Sequence, residues 1–479
     1  MASTDLPLVP SGLKADVDTQ EAAEVAAAAD VIVARMERLP FTRKHWNIAA
    51  LLSTGTFFDA FDSLIIGSVL AVIVTSLGIS IQAAGILVSA AFAGQLIGAL
   101  AAGVLSEFVG RRVVLLGTMT IFGLMALVCA FATDLNQLYV ARIVQGFGLG
   151  AEVPIAGALF NEFVRGKTRG LVVGLYENAF NLAVNIAPLI ALTVYALVGN
   201  DPGWRVLFGI GALPLLATFV RRSILPESPR WLVQKGRIAD ADAVVTSFEN
   251  DARAHGQPLP EPQVRPLTIA RRTNFLELFA RGYRTRTAQV WLQWFCAYSV
   301  SSYGALLPAL YVAGGLQVSQ ALIIQTAANA INFAFSFIMI PQFDRLGRKP
   351  LFVGGFVAAA VALFTGAFVI AVLGIKDWYV LAIVSGVVSM GALPSTLGLY
   401  IYTPELYPTR MRAWGTAAAT SMNRLAQTVG PALAGILIAS VFGIAAVFAL
   451  NGAIALVGAL TVVWLGIETR GRVLEEIAA

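Results

Sequence analysis

Charge is scarce in this sequence. Of its 479 residues only 13% are Asp, Glu, Lys or Arg, whereas 57% are hydrophobic and the mean hydropathy is +0.76, which excludes a water-soluble globule of this length. Histidine and cysteine number two each. There is no Cys-x-x-Cys pair, no histidine cluster and no phosphate-binding Gly-x-x-x-x-Gly-Lys loop, so the expectation is no metal, no cofactor and no ATP use. No nucleophile and base are arranged together, which sets an enzyme aside. Cys129 and Cys296 both fall in apolar runs, which argues against a disulfide and leaves the redox compartment open. Basic stretches interleaved with aromatics are missing, and with them any sign of nucleic-acid binding. A cleavable leader is not expected either: acids stand among the alanines between Glu21 and Asp30, so the first 45 residues are expected to stay as a tail.

What is present instead is a series of apolar runs. A helix needs about 20 such residues to cross a hydrocarbon core of about 30 Å. Twelve runs are counted, beginning near Trp46, Ala83, Val113, Gln137, Gly170, Arg205, Thr287, Gln320, Pro350, Lys376, Ala413 and Gly443. With both tails inside, 29 of the 33 Lys and Arg are cytoplasmic; Arg205 and Lys376 lie outside, and Arg142 and Arg424 fall within spans. The positive-inside rule therefore places both tails in the cytoplasm, and the net charge of +5 reflects topology. The expected organisation is a tail (1–45), a six-helix bundle (46–225), a cytoplasmic linker (226–286), a second bundle (287–467) and a C-terminal tail (468–479). Residues 22–38 read as an amphipathic helix. The linker is polar and basic, with prolines at 258, 260, 262 and 266, and reads as helical pieces.

The chain is a duplication. Gly110 and Gly347 lie 237 residues apart, each preceded by an acid (Glu107, Asp344) and followed by a basic pair (Arg111 and Arg112, Arg348 and Lys349). Glu162, Arg169 and Pro188 return as Glu405, Arg412 and Pro431, each 243 residues on. Glycine permits the tight turn between two spans, and the basic pair holds it in the cytoplasm. The acid is harder to explain, because a carboxylate at a helix C-terminus faces the negative end of the dipole and needs a cationic partner. One reading is a turn with a topology signal. The other, favoured here, is a breakable cytoplasmic gate in which Glu107 and Asp344 pair with arginines, and to which Glu162, Arg169, Glu405 and Arg412 belong.

The run Gly103-x-Leu-x-Glu-x-x-Gly-Arg-Arg112 resembles the signature loop of the major facilitator superfamily, with Glu107 in place of the usual Asp. Pro226-Glu-Ser-Pro-Arg-Trp-Leu232 and Glu468-Thr-Arg-Gly471 resemble the closing signatures of sugar porters. Arg142-Ile-Val-Gln-Gly-Phe-Gly-Leu-Gly150 and Glu405-Leu-Tyr-Pro-Thr-Arg-Met-Arg412 are similar to the same broad group. Gly146, Gly148 and Gly150 are also what close helix packing in lipid requires. The seventh span departs from sugar porters: where they carry a Gln-Gln and Gly-x-Asn constellation, this chain has Trp291-Leu-Gln-Trp-Phe295 and Ser302-Tyr-Gly304. Those stretches, with Arg38-Leu-Pro-Phe-Thr-Arg-Lys-His-Trp46 and Phe57-Phe-Asp-Ala-Phe-Asp62, resemble the metabolite:proton symporters related to synaptic-vesicle-protein-like, niacin and aromatic-acid carriers. Ala60 stands where the aromatic-acid carriers have glycine. The resemblance covers nearly the whole chain. It implies an all-α polytopic membrane protein of the major facilitator fold, twelve transmembrane helices in two pseudo-symmetric six-helix bundles.

Six ionisable residues lie within spans: Asp59, Asp62, Arg142, Glu152, Glu177 and Arg424. Exposing all six to lipid, at about 2.5 to 3.5 kcal/mol each, costs roughly 15 to 20 kcal/mol, so they face an interior cavity. Four acids against two arginines leave two carboxylates without an internal cation, which makes them candidates to bind and release protons. The resemblance matches Asp62 and Arg142 to the acid and arginine that form a protonation pair in proton-coupled sugar porters. Asp59, which shares a helix face with Asp62, and Glu152 complete the proton-coupling set.

For substrate binding the candidates are Glu177 and Asn181, in a polar stripe of the fifth span where the resemblance places a substrate-binding residue, and Asn423, Arg424 and Gln427 opposite them in the repeat. Gln293, Tyr298 and Tyr303 in the seventh span, Asn329 in the eighth with Gln325 and Asn332, and Tyr400 in the tenth join them. Pseudo-symmetric positions near the midplane are where such carriers bind substrate. Arg424 lies roughly 18 Å along its helix from the cytoplasmic end and needs an anion, either an internal acid or a substrate carboxylate.

The expected function is a secondary carrier of the cell membrane, working as a monomer among lipids. It imports a small organic metabolite, an aromatic or other monocarboxylate first, with protons and by alternating access. A sugar or polyol proton symporter is the alternative, which Pro226 to Leu232 support and the seventh span opposes. An exporter of the same fold looks alike in sequence. A membrane sensor would carry a signalling domain, and neither tail nor linker reads as one.

Overall fold

The computed structural model describes residues 19–164, 169–219, 224–264, 275–408 and 411–470, and within them the side chains from residue 27 onward other than 153, 161, 169–177, 181, 217, 218 and 413. Among the described residues all regular structure is helical. In chain order α1 (Thr19–Arg38) precedes the first crossing, α2 (Arg43–Ser76). There follow α3 (Ile81–Val109), α4 (Arg111–Phe131), α5 (Leu135–Phe163), α6 (Arg169–Val198) and α7 (Asn200–Gly211), which continues as a 3-10 stretch, Leu213–Phe219. The linker holds α8 (Pro229–Gln234) and α9 (Ile238–Ala254). The second half has α10 (Arg284–Ser299) continued by α11 (Leu307–Ala313), then α12 (Val318–Leu346), α13 (Arg348–Ala371), α14 (Trp378–Glu405), α15 (Arg412–Ile438) and α16 (Gly443–Leu465). Among the described residues ten crossings are long and apolar enough to span a bilayer unaided. The other two are α7, which is short, and α15, which carries Asn423, Arg424 and Gln427 in its middle.

Each crossing begins close to where its apolar run begins, and α1, α8 and α9 are the amphipathic and linker helices that the pattern anticipates. The seventh crossing is the exception, since it is not one continuous helix. Between α10 and α11 lies a 3-10 stretch, Ser302–Leu306, where Ser302 Oγ donates to the Ser299 carbonyl at 2.8 Å. Pro308 has no N–H for a helical bond, and serine and glycine favour such local alternatives.

α1 buries Ala29, Ile32 and Met36 against Trp231, Leu232, Ala241 and Val245 of the linker helices. Its Arg35 and Arg38 converge on the buried Glu249 at 3.0 and 2.6 Å. Burial pushes the Glu249 carboxyl up, but the hydrogen bonds from the two guanidinium groups outweigh it and hold it below the usual range. His45 joins this layer to the first bundle through Nε2 and the Phe163 carbonyl, 3.1 Å apart. Tail helix, linker and glycine loops therefore share one face, here called the tail side.

Within the first bundle α3 and α5 meet through Gly94, Gly98, Gly146 and Gly150, each lying so close to a facing backbone that no Cβ fits. Between the bundles α3 faces α15 and α6 faces α12. The joining contacts lie away from the tail side: Gly85 against the Pro431 carbonyl, Gly435 against Ile81 and Gly67 against Ala305. Ala432 N–H donates to Ser89 Oγ at 2.9 Å and Asn329 Nδ2 to the Val184 carbonyl at 3.4 Å. Toward the tail side the bundles part, and Tyr400 is 53% exposed there. Among the described residues the structure is open on its tail side.

Candidate functional site

Two polar clusters sit at mid-depth, one inside the first bundle and one between the bundles. α2 and α5 run antiparallel, which sets Asp62 against Arg142. Arg142 Nη1 donates to both carboxylate oxygens of Asp62 at 2.8 Å and to Gln145 Oε1 at 2.9 Å, while Gln145 Nε2 donates to Asp62 Oδ1 at 2.9 Å. The charged side chains are 2% and 3% exposed, and the Phe208 ring lies 5.8 Å from the guanidinium. A charge pair this deep needs further hydrogen bonds to its lone pairs, and Gln145, one turn along from Arg142, supplies them. The fully buried Glu152 seats its carboxylate against Gly55 of α2, where a Cβ would collide with it. Gly55, Asp59 and Asp62 share one face of α2 by their spacing, so all four proton-coupling candidates belong to the contact of α2 with α5.

The second cluster is centred on Arg424 of α15, which is half-buried. Among the described residues its partner is not an acid: Nη1 donates to Gln95 Oε1 of α3, in the other bundle. Beside it the Tyr298 and Tyr400 hydroxyls are hydrogen-bonded, and Tyr298 feels the field of Arg424. Trp294 stacks on Tyr298 with 5.6 Å between ring centroids and meets Tyr400 edge-on at 4.9 Å. Its Nε1 donates to Thr403 Oγ1 at 2.9 Å, which fixes the indole.

One turn further from the tail side Gln427 enters a cavity of about 340 Å³, a volume typical of small-molecule sites. Gln325, Asn329 and Asn332 of α12 line it, with Ser301 and Ser302 at the helix break, and among the described residues its lining holds no charged side chain. Gln325 Oε1 and Asn332 Oδ1 accept no hydrogen bond from the described residues, so the cavity offers buried acceptors to a ligand. The arrangement as a whole is a neutral amide pocket with a cation and aromatic rings at its mouth.

Other candidates stand elsewhere. Tyr303 is buried, 3.3 Å from Ser385 Oγ and edge-on to Phe448. Gln293 is fully buried and accepts from Gln289 Nε2 at 2.5 Å. Both pack inside the second bundle and neither lines the cavity, because the break at 299–306 turns the serines and Gly304 to it instead. Asn423 is half-buried beside Arg424. The side chains of Arg169, Glu177 and Asn181 lie outside those described.

On the tail side the halves build the same node twice. Gly110 and Gly347 adopt φ of 109° and 97°, a region that favours glycine, and each abuts a carboxylate that leaves no room for a Cβ. Those carboxylates are Glu227, which accepts the N–H groups of Arg111 and Arg112 at 3.0 and 3.2 Å, and Glu468, which accepts those of Arg348 and Lys349 at 3.1 and 2.9 Å. Each therefore caps the helix that follows the glycine. Arg111 reaches Glu162 at 3.4 Å and the Ser106 carbonyl at 3.1 Å, as Arg348 reaches Glu405 at 3.1 Å and the Phe343 carbonyl at 2.9 Å. Arg112 holds the Leu225 carbonyl at 2.7 Å and Lys349 that of Val463 at 2.8 Å.

The two caps differ in environment. Burial pushes the Glu227 carboxyl up, and the N–H groups of Ser228, Arg112 and Arg111 offset only part of it. Burial also pushes Glu468 up, but there the N–H groups of Arg470, Arg348 and Lys349 outweigh it and the group lies below its usual range. As for the gate acids, Asp344 pairs with Arg348 at 3.2 Å yet is 85% exposed. Glu107 is exposed and forms no ion pair with the described residues. Arg412 is half-buried at the start of α15. The described contacts of the first loop are with the first bundle and the linker, and those of the second with the second bundle and the C-terminal tail.

Sequence reasoning gave no site role to Gln95 or Gln145, and read Glu227 and Glu468 only as parts of the two closing signatures. The 241-residue offset between the two glutamates was a usable signal for the caps. For Gln95 the only signal was an amide in the middle of an otherwise apolar run.

The profile of the sugar (and other) transporter family matches residues 48–479. The niacin transporter of Acinetobacter baylyi is 30% identical over 452 residues, 93% of this chain and 99% of that protein. The gallate transporter of Pseudomonas putida is 29% identical over 416 residues, 85% and 89% of the two chains. In fold, the crystal structure of a D-xylose-proton symporter is similar, with a TM-score of 0.68 over 89% of this chain and 99% of that one at 19% identity.

Proposed function

The chain belongs to the sugar (and other) transporter family, and from that premise we propose that it imports an aromatic or other small monocarboxylate with protons across the cell membrane, as a monomer, by alternating access. The observation that carries this reading is Arg424. It is a cation that cannot shed its charge, it stands at mid-depth beside a neutral cavity, and an amide oxygen answers it. A carboxylate offers a guanidinium two charge-assisted hydrogen bonds, and the rings of Trp294, Tyr298 and Tyr400 suit an aromatic body. The similarity to carriers of niacin and of gallate, both aromatic acids, supports the same class.

Asp62 and Arg142, with Asp59 and Glu152 on the same two helices, form the proton-coupling set. A proton arriving on Asp62 removes the charge that holds Arg142 and frees α2 to shift against α5. Under the positive-inside rule the tail side is cytoplasmic, so the open state is the release step of import. Glu107 and Asp344 would act as gate acids in the opposite state, when the tail halves close. A sugar or polyol symporter is the second reading, favoured by the oxygens of Gln325 and Asn332, which accept no hydrogen bond from the described residues and suit hydroxyl donors.

The test is uptake into proteoliposomes driven by a pH gradient, after a thermal-shift screen of carboxylates, polyols and amines, with nicotinate, nicotinamide and xylose as competitors. The acid is expected to compete at least about tenfold better than its amide, the worth of a charge-assisted contact. Equal competition by acid and amide removes the carboxylate from the reading. Competition by xylose alone installs the sugar reading, and indifference to the gradient removes the proton.

A further inference from the structure

Gln95 appears above only as the partner of Arg424, yet it makes a polar contact that joins the bundles at the depth of the candidate site. It is 1% exposed, and its backbone is trapped. Gly146 of α5 lies against the Ala91 carbonyl and the Gln95 nitrogen, and Gly150 lies against the Gln95 carbonyl, neither with room for a Cβ. The side chain thus leaves from a point that close packing holds still. From there Oε1 accepts from Arg424 Nη1 across the bundle interface.

We propose that Gln95 is the positioning residue for the substrate cation, an inference that rests on the carboxylate reading above. An arginine on a flexible stem beside a cavity open to the tail side tends to extend its head toward water. Gln95 restrains it by holding one edge of the guanidinium, which leaves the other N–H groups for a ligand at the mouth of the amide pocket. The chemistry of the tether matters as much as its geometry. A carboxylate at this position would pair with Arg424 and compete with an anionic substrate, whereas an amide oxygen takes one hydrogen bond and leaves the full positive charge. The tether also fixes Arg424 to the helix pair that carries Arg142, so the cation site of one bundle is referenced to the charge pair of the other.

The experiment uses the full-length protein in proteoliposomes, with nicotinate and nicotinamide as probes and Gln95→Glu and Gln95→Leu as variants of nearly unchanged size. Gln95→Glu is expected to weaken nicotinate about tenfold or more while leaving nicotinamide as it was, since a paired guanidinium loses its charge-assisted bond to the acid. Gln95→Leu is expected to raise KM for the acid about three- to tenfold with kcat within about twofold, because lost orientation acts on binding. A purely packing role does not move the ratio of acid to amide. Acid preference retained in both variants overturns the role of Gln95 and leaves the carboxylate reading intact. A wild-type protein that treats acid and amide alike overturns the reading itself. Should one variant fail to fold, the other decides alone.

Discussion

Glu227 caps α4 as Glu468 caps α13, and Arg111 meets Glu162 as Arg348 meets Glu405. At mid-depth the halves part company: the first closes Arg142 on Asp62, while the second leaves Arg424 against an amide of the other half. The tail-side nodes satisfy N–H and carbonyl groups that every helix end must satisfy, so both copies retain them whatever the carrier transports. Charges at mid-depth answer to no such demand. A closed pair suits a site that a proton opens, and a cation with a neutral partner suits a site that an anion fills.

The sharpest way to break this comparison is at the closed pair. Asp62→Asn is expected to abolish gradient-driven accumulation while sparing counterflow exchange, because the amide keeps the shape and loses the titratable group. Full accumulation by this variant removes Asp62 from the coupling. At the open cation, Arg424→Gln is expected to weaken acid analogues about tenfold to a hundredfold and to leave amides unaffected. Arg424→Lys falls between, since a point charge lacks the fork. Competition by acid, amide and alcohol analogues reads all three proteins, and an Arg424→Gln protein that still prefers the acid moves the anion site elsewhere.

The symmetric nodes are expected to respond less, and in opposite senses with pH. Glu468 lies below its usual range when folded, so its contribution is complete above the unfolded pKa and is lost as pH falls through the folded one. Glu227 lies above it, so its contribution is complete below the unfolded pKa and is lost as pH rises through the folded one. At about pH 7 Glu468→Gln is therefore expected to lower stability by roughly 1 kcal/mol, the scale of a cap, and Glu227→Gln by less. Toward about pH 5 the deficit of Glu227→Gln grows; that of Glu468→Gln holds and shrinks only in stronger acid. Thermal unfolding at the two pH values checks this, and deficits that move together mean that the caps are equivalent. Smallest of all are the gate acids. Glu107→Gln and Asp344→Asn are expected to raise cysteine labelling of the tail-side cavity by less than about fivefold, the reach of an exposed pair, and no rise in either leaves the loops with topology alone.

Much of this was legible in the chain. A helix in lipid must satisfy its own backbone, so twelve apolar runs announce twelve crossings. A charge at mid-depth announces itself by what it would cost in lipid, which makes Asp62, Arg142 and Arg424 visible from hydropathy, while the pairing of Asp62 with Arg142 was implied by the family resemblance. Gln95 and Gln145 were given no role, because a neutral amide is cheap enough to bury that an apolar run says nothing of what it will meet. Tyr303 and Gln293 do not line the cavity; the seventh crossing is broken at 299–306, and the serines and Gly304 of the break line it instead.

The sequence by itself determined the class of protein, the number of crossings, the duplication and the residues that must avoid lipid, since these follow from local hydropathy and from the penalty on unpaired charge. Beyond the pair of Asp62 and Arg142, which the resemblance implied, the partner each charge takes was decided only by tertiary structure. Gln95 lies 329 residues from Arg424, and nothing in either segment specifies the other; what sets them together is the docking of two bundles, where glycines remove side chains and let backbones approach.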